Sequence, residues 1–200
     1  MLIAMNFLSH KQRLCKRGMD LFLSILLLPV LILPILVLII GATIDTQTFG
    51  LFFQKRVGQY GVLFTIYKIR TFQPTGKISN YSNKIRRFKF DELPQIVNVL
   101  MGQMSFVGPR PDLPALVATL KEPERIILSL KPGLTGPASL CYFNEETILA
   151  QQDDPEVYNE SVLYPAKTLI NMNYIKKYQL LNDVKYIYKT LLHVFQNMAF

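Results

Sequence analysis

Leu21-Phe-Leu-Ser24-Ile-Leu-Leu-Leu-Pro29-Val-Leu-Ile-Leu-Pro34-Ile-Leu-Val-Leu-Ile-Ile40 is the stretch whose reading decides the fold. About 20 residues with a single serine match the length of a membrane span. Pro29 and Pro34 each remove one helical hydrogen bond and bend the axis. In hydrocarbon the freed carbonyls need other partners, so two prolines this close predict a proline-broken, re-entrant helix rather than a straight span. Basic residues flank both ends, Lys16 and Arg17 before the run and Lys55, Arg56, Lys68 and Arg70 after it. The excess of Lys and Arg in cytoplasmic flanks places both ends on that face. A single straight anchor is the alternative. The segment Met1 to Asp20, with Lys11, Arg13, Lys16 and Arg17, reads as a basic, helical stretch lying on a membrane surface. A cleaved signal peptide is disfavoured, because the apolar run is too long and no small-residue cleavage site follows it.

The remainder is long enough for one compact domain. Of 200 residues, 1–45 read as the basic segment and membrane helix, and 46–200 as a cytoplasmic, membrane-associated domain. The formal net charge is +8, with 22 Lys and Arg against 14 Asp and Glu. Such an excess suits an anionic partner: nucleic acid, acidic lipid headgroups or a phosphorylated substrate. Two cysteines, Cys15 and Cys141, match neither a disulfide framework nor a zinc spacing, and a reducing compartment follows. His10 and His193 lie near the two ends, which disfavours histidine acid–base chemistry and zinc.

A second stretch carries the chemistry: Lys84-Ile-Arg86-Arg87-Phe-Lys89-Phe-Asp91-Glu92-Leu-Pro94-Gln95. Pro94 suits a first helical turn, and the apolar positions after it continue at helical spacing towards Met101-Gly102. Asp91 and Glu92 then face free N–H groups and the positive end of a helix dipole, which favours carboxylates that stay ionised. An ordinary acidic first turn is the plain alternative. Around this pair, Gly50 to Thr71 reads as a β-hairpin turning at Gly58 to Gly61, and Gln73 to Asn83 as a loop. Ser105 to Pro111 reads as a turn, neither helix nor regular strand, that displays Arg110 from between two prolines. A guanidinium held that rigidly suits bidentate phosphate recognition. Leu113 to Leu130 reads as an amphipathic helix and Pro132 to Pro137 as a tight loop. Thr147 to Tyr158 reads as a polar surface segment. The tail places Leu181, Val184, Tyr188, Leu191 and Phe195 on one helical face, to pack on the domain or lie on a membrane.

Walker P-loop, dinucleotide-binding, nucleophile-elbow and H-E-x-x-H signatures are missing. Carboxylates at a helix start can ligate Mg²⁺ together with substrate phosphates, or attack phosphorus directly. Nearby cations, Arg86, Arg87, Lys89 and Arg110, can offset the phosphate charge. The residues alone lead to phosphoryl chemistry at a membrane.

Several blocks together resemble the bacterial sugar transferases, small monotopic phosphoglycosyl transferases that act on a polyprenol phosphate. They are Lys16-Arg17 with Asp20 before the apolar run, Phe53-Gln54-Lys-Arg56-Val-Gly58, Phe64-x-x-Tyr67-Lys68-x-Arg70-Thr71, Asp91-Glu92-Leu-Pro94-Gln95-x-x-Asn98, Met104-Ser105-x-Val-Gly108-Pro109-Arg110-Pro111 and Pro132-Gly133-Leu-Thr135-Gly136. The likeness runs in order from Lys16 to Leu192. It implies an α-rich α+β fold: a re-entrant, proline-broken membrane helix plus a small cytoplasmic domain with a short β-hairpin and amphipathic interface helices. The implied reaction moves a sugar-1-phosphate from a UDP-sugar to undecaprenyl phosphate and releases UMP. Asp91 is then the nucleophile, Glu92 its helper, and Mg²⁺ the cofactor held by Asp91 and Glu92. Lys68, Arg70, Arg86 and Arg110 contact substrate phosphates. The implied partners are the UDP-sugar, the polyprenol phosphate and membrane lipid at the cytoplasmic face of a bacterial inner membrane; a homodimer is left open. Ser82, Gln103 and Ala166 depart from the family's usual residues. Two rival readings remain. One is a membrane-tethered adaptor or inactive relative, which would tolerate Asp91→Asn. The other is a basic nucleic-acid binder, disfavoured because its cations are scattered through these blocks without stacking aromatics.

Overall fold

The structure is a computed structural model that describes residues 7–198. The first six positions of the basic segment read from Met1 lie outside the described residues. Helix α1 spans His10–Thr46, opened by a capping box in which Ser9 and Gln12 bond each other's backbone N–H. The basic residues are thus the first turns of the same helix that carries the apolar run. Pro29 and Pro34 lie inside α1 without ending it, so the expected interruption is replaced by one continuous helix. Each proline withdraws only its own N–H, and the flanking turns keep theirs.

After α1, strands β1 (Leu51–Val57) and β2 (Leu63–Ile69) pair antiparallel from Leu51↔Ile69 to Val57↔Leu63, the hairpin read from the sequence. Helix α2 (Asn80–Arg87) begins earlier than the expected loop allows, because Ser79 caps it by accepting from the N–H of Ser82. A tight 3₁₀ turn, Phe90–Gln95, leads into α3 (Ile96–Leu100). Strand β3 (Ser105–Val107) pairs in parallel with β4 (Gly133–Thr135). This corrects the reading of both segments as turns: each glycine–proline corner follows or precedes three residues that are free to pair. The glycines permit it, since a Cβ on Gly133 or Gly136 would collide with the backbone of Gly108.

Leu113 to Leu130 is not one helix. It divides into α4 (Pro114–Ala118) and a 3₁₀ segment, Glu124–Ser129, with Pro123 between them. Short helices α5 (Pro137–Cys141), α6 (Glu145–Ala150) and α7 (Pro155–Tyr158) precede α8 (Tyr164–Lys176) and α9 (Leu180–Met198). The main core gathers Ile66, Ile96, Val99, Met104, Val107 and Ile175 between the hairpin, α3, β3 and α8.

Both ends of α1 are fastened to this body. Near its start, Lys16 Nζ bonds Asp183 Oδ2 at 2.6 Å, and Arg17 donates to the carbonyls of Val99 and Leu100 at 2.7 and 2.8 Å. Arg17 thereby adds a side-chain donor to the carbonyls that end α3, that of Val99 also accepting from the N–H of Gly102. Asp20 accepts from Ser105 Oγ and the N–H of Phe106, both at 3.0 Å. Near the other end, Asp45 Oδ2 accepts from Ser79 Oγ and Ser82 Oγ, both at 2.7 Å. Ser82, a departure from the family pattern, is thus completely buried and bonded. Between these anchors α1 exposes Phe22, Leu26, Val30, Leu33, Val37 and Ile40. The α9 residues Leu181, Val184, Tyr188, Leu191 and Phe195 are exposed as well, so that stripe does not pack on the domain.

Candidate active site

Asp91 and Glu92 stand in the 3₁₀ turn between α2 and α3. Lys89, with φ 58, turns the chain through a left-handed conformation just before them. A side chain in that region costs about 1 kcal/mol, so the surrounding bonds hold it there. Asn98 on α3 fixes the pair's height against the hairpin: its Oδ1 accepts from the N–H of Tyr67, and its Nδ2 donates to the Thr65 carbonyl. The same Nδ2 donates to Gln103 Oε1 at 2.7 Å, so the glutamine that departs from the family pattern still buttresses this link.

Glu92 is clamped by two cations from opposite walls. Lys68 Nζ, on β2, donates to Oε1 at 2.9 Å; Arg110, after β3, donates to Oε1 at 2.7 Å and reaches Oε2 at 3.5 Å. Burial alone would raise this carboxyl, but Arg110 and Lys68 outweigh it and hold Glu92 well below the usual carboxylate range. Glu92 in turn holds the Arg110 guanidinium firmly charged. Asp91 is different. It meets Lys68 Nζ at 3.8 Å, too long for a hydrogen bond. Burial, with the neighbouring Glu92 charge added, pushes its carboxyl up to about 6. Asp91 is thus harder to ionise than a helix start alone would make it, while remaining mostly a carboxylate at neutral pH, and Glu92 owes its charge to Arg110 and Lys68.

Two clefts meet at Glu92. The hairpin-side cleft, about 380 Å³, is lined by Arg56, Lys68, Arg70, Arg86, Lys89 and Arg110 along with the two carboxylates. Arg70 lies over the Phe52 ring and bonds the Phe49 carbonyl at 2.9 Å; Arg86 lies over Phe72 and bonds Glu146 at 2.8 Å. The structure thus brings together all six sequence-derived site residues, Asp91, Glu92, Lys68, Arg70, Arg86 and Arg110. The second cleft, about 210 Å³, shares Lys89, Glu92, Arg110 and Glu146 and continues to Tyr142, Phe143, Glu145 and Lys167.

Sequence reasoning missed Lys167, which is buried on α8 and bonds both Glu145 oxygens at 2.9 and 3.1 Å. It missed Asp112 too, whose carboxyl burial pushes up to about 6 against the pull of Lys167, Arg110 and Arg56. Asp112 adjoins the Pro-Arg-Pro corner and could have been noticed there; nothing in the spacing points to Lys167.

The donor set bears on Mg²⁺. Among the described residues no group of three or more His, Cys, Asp or Glu could hold a metal ion. Mg²⁺ is commonly held by one or two carboxylates with the rest of its shell from water and substrate phosphates. Asp91 fits that role. Glu92 can offer chiefly Oε2, which Arg110 reaches only at 3.5 Å, since Oε1 already serves Lys68 and Arg110.

An acidic pair beside a cation-lined cleft, on a body bound to one long apolar helix, forms the candidate site. The chain belongs to the bacterial sugar transferase family, whose sequence profile matches residues 11–197. It is 30% identical to the UDP-glucose:undecaprenyl-phosphate glucose-1-phosphate transferase of Escherichia coli K12, over 96% of this chain and 42% of that protein. It is also 30% identical to the undecaprenyl-phosphate glucose phosphotransferase of Komagataeibacter xylinus, over 96% and 38%. A UDP-N-acetylgalactosamine-undecaprenyl-phosphate N-acetylgalactosaminephosphotransferase of Aeromonas hydrophila is 28% identical, over 88% and 42%. The chain spans about two fifths of the length of these relatives.

Proposed function

We propose that this chain is a phosphoglycosyl transferase that moves a sugar-1-phosphate from a UDP-sugar to undecaprenyl phosphate through a covalent aspartyl intermediate. The observation that carries the reading is the contrast within the acidic pair: Glu92 is held at hydrogen-bond distance by both Lys68 and Arg110, while Asp91 is buried, unbonded by Lys68 and facing the cationic cleft. The named activities of the relatives agree with it.

A carboxylate oxygen of Asp91 attacks the sugar-bearing β-phosphorus. A P–O bond forms, the bond from that phosphorus to the UMP oxygen breaks, and UMP leaves with the electron pair. A phosphate oxygen of the lipid then attacks the same phosphorus, and the bond to Asp91 breaks, which restores the carboxylate. Lys68 and Arg110, held in place by Glu92, sit where negative charge grows on the phosphoryl oxygens in both steps. Arg70 and Arg86, stacked on Phe52 and Phe72, hold the diphosphate from the hairpin side. Mg²⁺, held by Asp91 with a lesser share from Glu92, would supply further neutralisation of the phosphate oxygens.

The same body holds both ends of α1. Thirty-seven helical residues measure about 55 Å, longer than a hydrocarbon core of about 30 Å. A helix crossing that core could not bond one domain through Lys16, Arg17 and Asp20 at one end and Asp45 at the other. Fastening at both ends supports the reading that the apolar midsection bends at its two prolines, enters the membrane and returns. The basic flanks support placing both ends and the site on the cytoplasmic face.

The test is UMP release from a panel of UDP-sugars by purified protein in nanodiscs, with and without undecaprenyl phosphate and Mg²⁺. The reading predicts lipid-sustained, Mg²⁺-dependent turnover with at least one donor. Folded protein that releases no UMP from any donor would favour an adaptor.

A further inference from the structure

We propose that the cleft between α5, α6 and α9 is the subsite for the donor's sugar ring, with the Glu145–Lys167 pair as its specificity element; this rests on the transferase reading. Charge separates the two clefts that meet at Glu92. On the hairpin side six cations face Asp91, Glu92 and Glu146, an excess that suits the diphosphate. In the second cleft Lys89, Arg110 and Lys167 are matched by Glu92, Glu145 and Glu146. A phosphate there would meet Glu145 and Glu146 as like charges. A neutral polyol meets donors and acceptors in equal measure.

The lining has the chemistry of a sugar site. Tyr142, and Phe143 whose ring is stacked on His193, line the cleft with aromatic surface for the C–H side of a pyranose, and Ser139 offers a hydroxyl. Glu145 presents a planar carboxylate that can accept from two adjacent sugar hydroxyls. Its orientation is set by Lys167, which is only 7% exposed and grips both oxygens. A site built to bond a particular hydroxyl pair rejects analogues that leave its polar groups unpaired. The volume of about 210 Å³ exceeds the ~150 Å³ that holds one benzene-sized ring, so a six-membered ring fits. Phosphorus seated over Asp91 carries its UMP and sugar substituents in different directions, and the two clefts open from Asp91's neighbour Glu92 on different sides.

The experiment uses the full chain in nanodiscs with Asp91→Asn to prevent turnover. Calorimetry compares UMP, UDP-glucose, UDP-galactose, UDP-N-acetylglucosamine and UDP-N-acetylgalactosamine. Glu145→Gln is expected to weaken the preferred UDP-sugar about tenfold and to flatten the ranking of the four donors. Phe143→Ala is expected to weaken all four UDP-sugars. UMP affinity stays within about twofold in both variants, and this also proves that they are folded. Loss of UMP affinity equal to that of the UDP-sugars in folded Phe143→Ala would assign the cleft to the nucleoside and overturn the proposal. So would an unchanged donor ranking and unchanged affinities in both variants. If the intact protein binds neither UMP nor any UDP-sugar, the parent reading falls and takes this one with it.

Discussion

Where α1 meets α9, Asp183 is fully buried and its two oxygens take three donors: Lys16 Nζ and Tyr174 OH at 2.6 Å, and Tyr178 OH at 3.2 Å. At the mouth of the two clefts Glu92 is treated in the same way by Lys68 and Arg110, yet Asp91 beside it keeps a cation no closer than 3.8 Å among the described residues. The first cluster has no unmet demand and serves to fasten the long helix. The second leaves one carboxylate short of partners, in a low-dielectric place where the cost of its charge is high. A buried acid with all its bonds made is an anchor; one deliberately left short is available to react.

The sharpest way to break this contrast is to substitute both aspartates. Asp91→Asn should reduce UMP release at least about 10³-fold, because no carboxylate is left to attack. The same change should stabilise the fold by about 1–3 kcal/mol at pH 7, read from denaturant midpoints without Mg²⁺. Asp183→Asn should do the reverse and cost about 3–5 kcal/mol, since it strands the buried Lys16 ammonium. Stabilities that moved in the same direction would erase the distinction between the clusters.

Glu92→Gln sharpens it further. Arg110 and Lys68 lose their charged partner, and about 3 kcal/mol of stability should go with it. The pH dependence follows from opposite shifts. The folded-state carboxyl of Asp91, raised to about 6, contributes stability below the unfolded value near 3.8 that is lost as pH rises through 6. Glu92, held low, contributes stability above its unfolded value that is lost only in strong acid. UMP release should therefore fall as pH drops through about 6, while the fold survives. Smallest of all, Arg86→Ala should cost at most about 1 kcal/mol of stability, because Glu146 is 58% exposed, yet it should raise the KM for the donor.

How much of this was legible in the chain depended on range. The apolar run, the hairpin turning at Gly58 to Gly61, the acidic pair before Pro94 and the cations near it are local patterns, and they appear where the sequence placed them. The parallel pairing of Ser105 to Val107 with Gly133 to Thr135 could not be seen: each strand is three residues long, and its flanking glycines and prolines spell a turn. Pro123, which divides Leu113 to Leu130, was in plain view and outweighed by periodicity. The Glu145–Lys167 pair joins α6 to α8, and no spacing rule predicts such a meeting. Nor does the sequence say that Asp91, unlike Glu92, would lack a close cation; that depends on which carboxylate the Lys68 and Arg110 side chains reach.

The claim that Asp91 is the nucleophile is tested most directly by capturing the intermediate. Protein mixed with a turnover-competent UDP-sugar and Mg²⁺, without undecaprenyl phosphate, would be quenched and examined by intact and peptide mass spectrometry. The account predicts a burst of at most one UMP per chain and a matching sugar-phosphate adduct on the Asp91 peptide, cleaved by hydroxylamine and absent in Asp91→Asn. UMP release that waits for the lipid, with no adduct, would contradict it, and an adduct that persists in Asp91→Asn would place the nucleophile elsewhere.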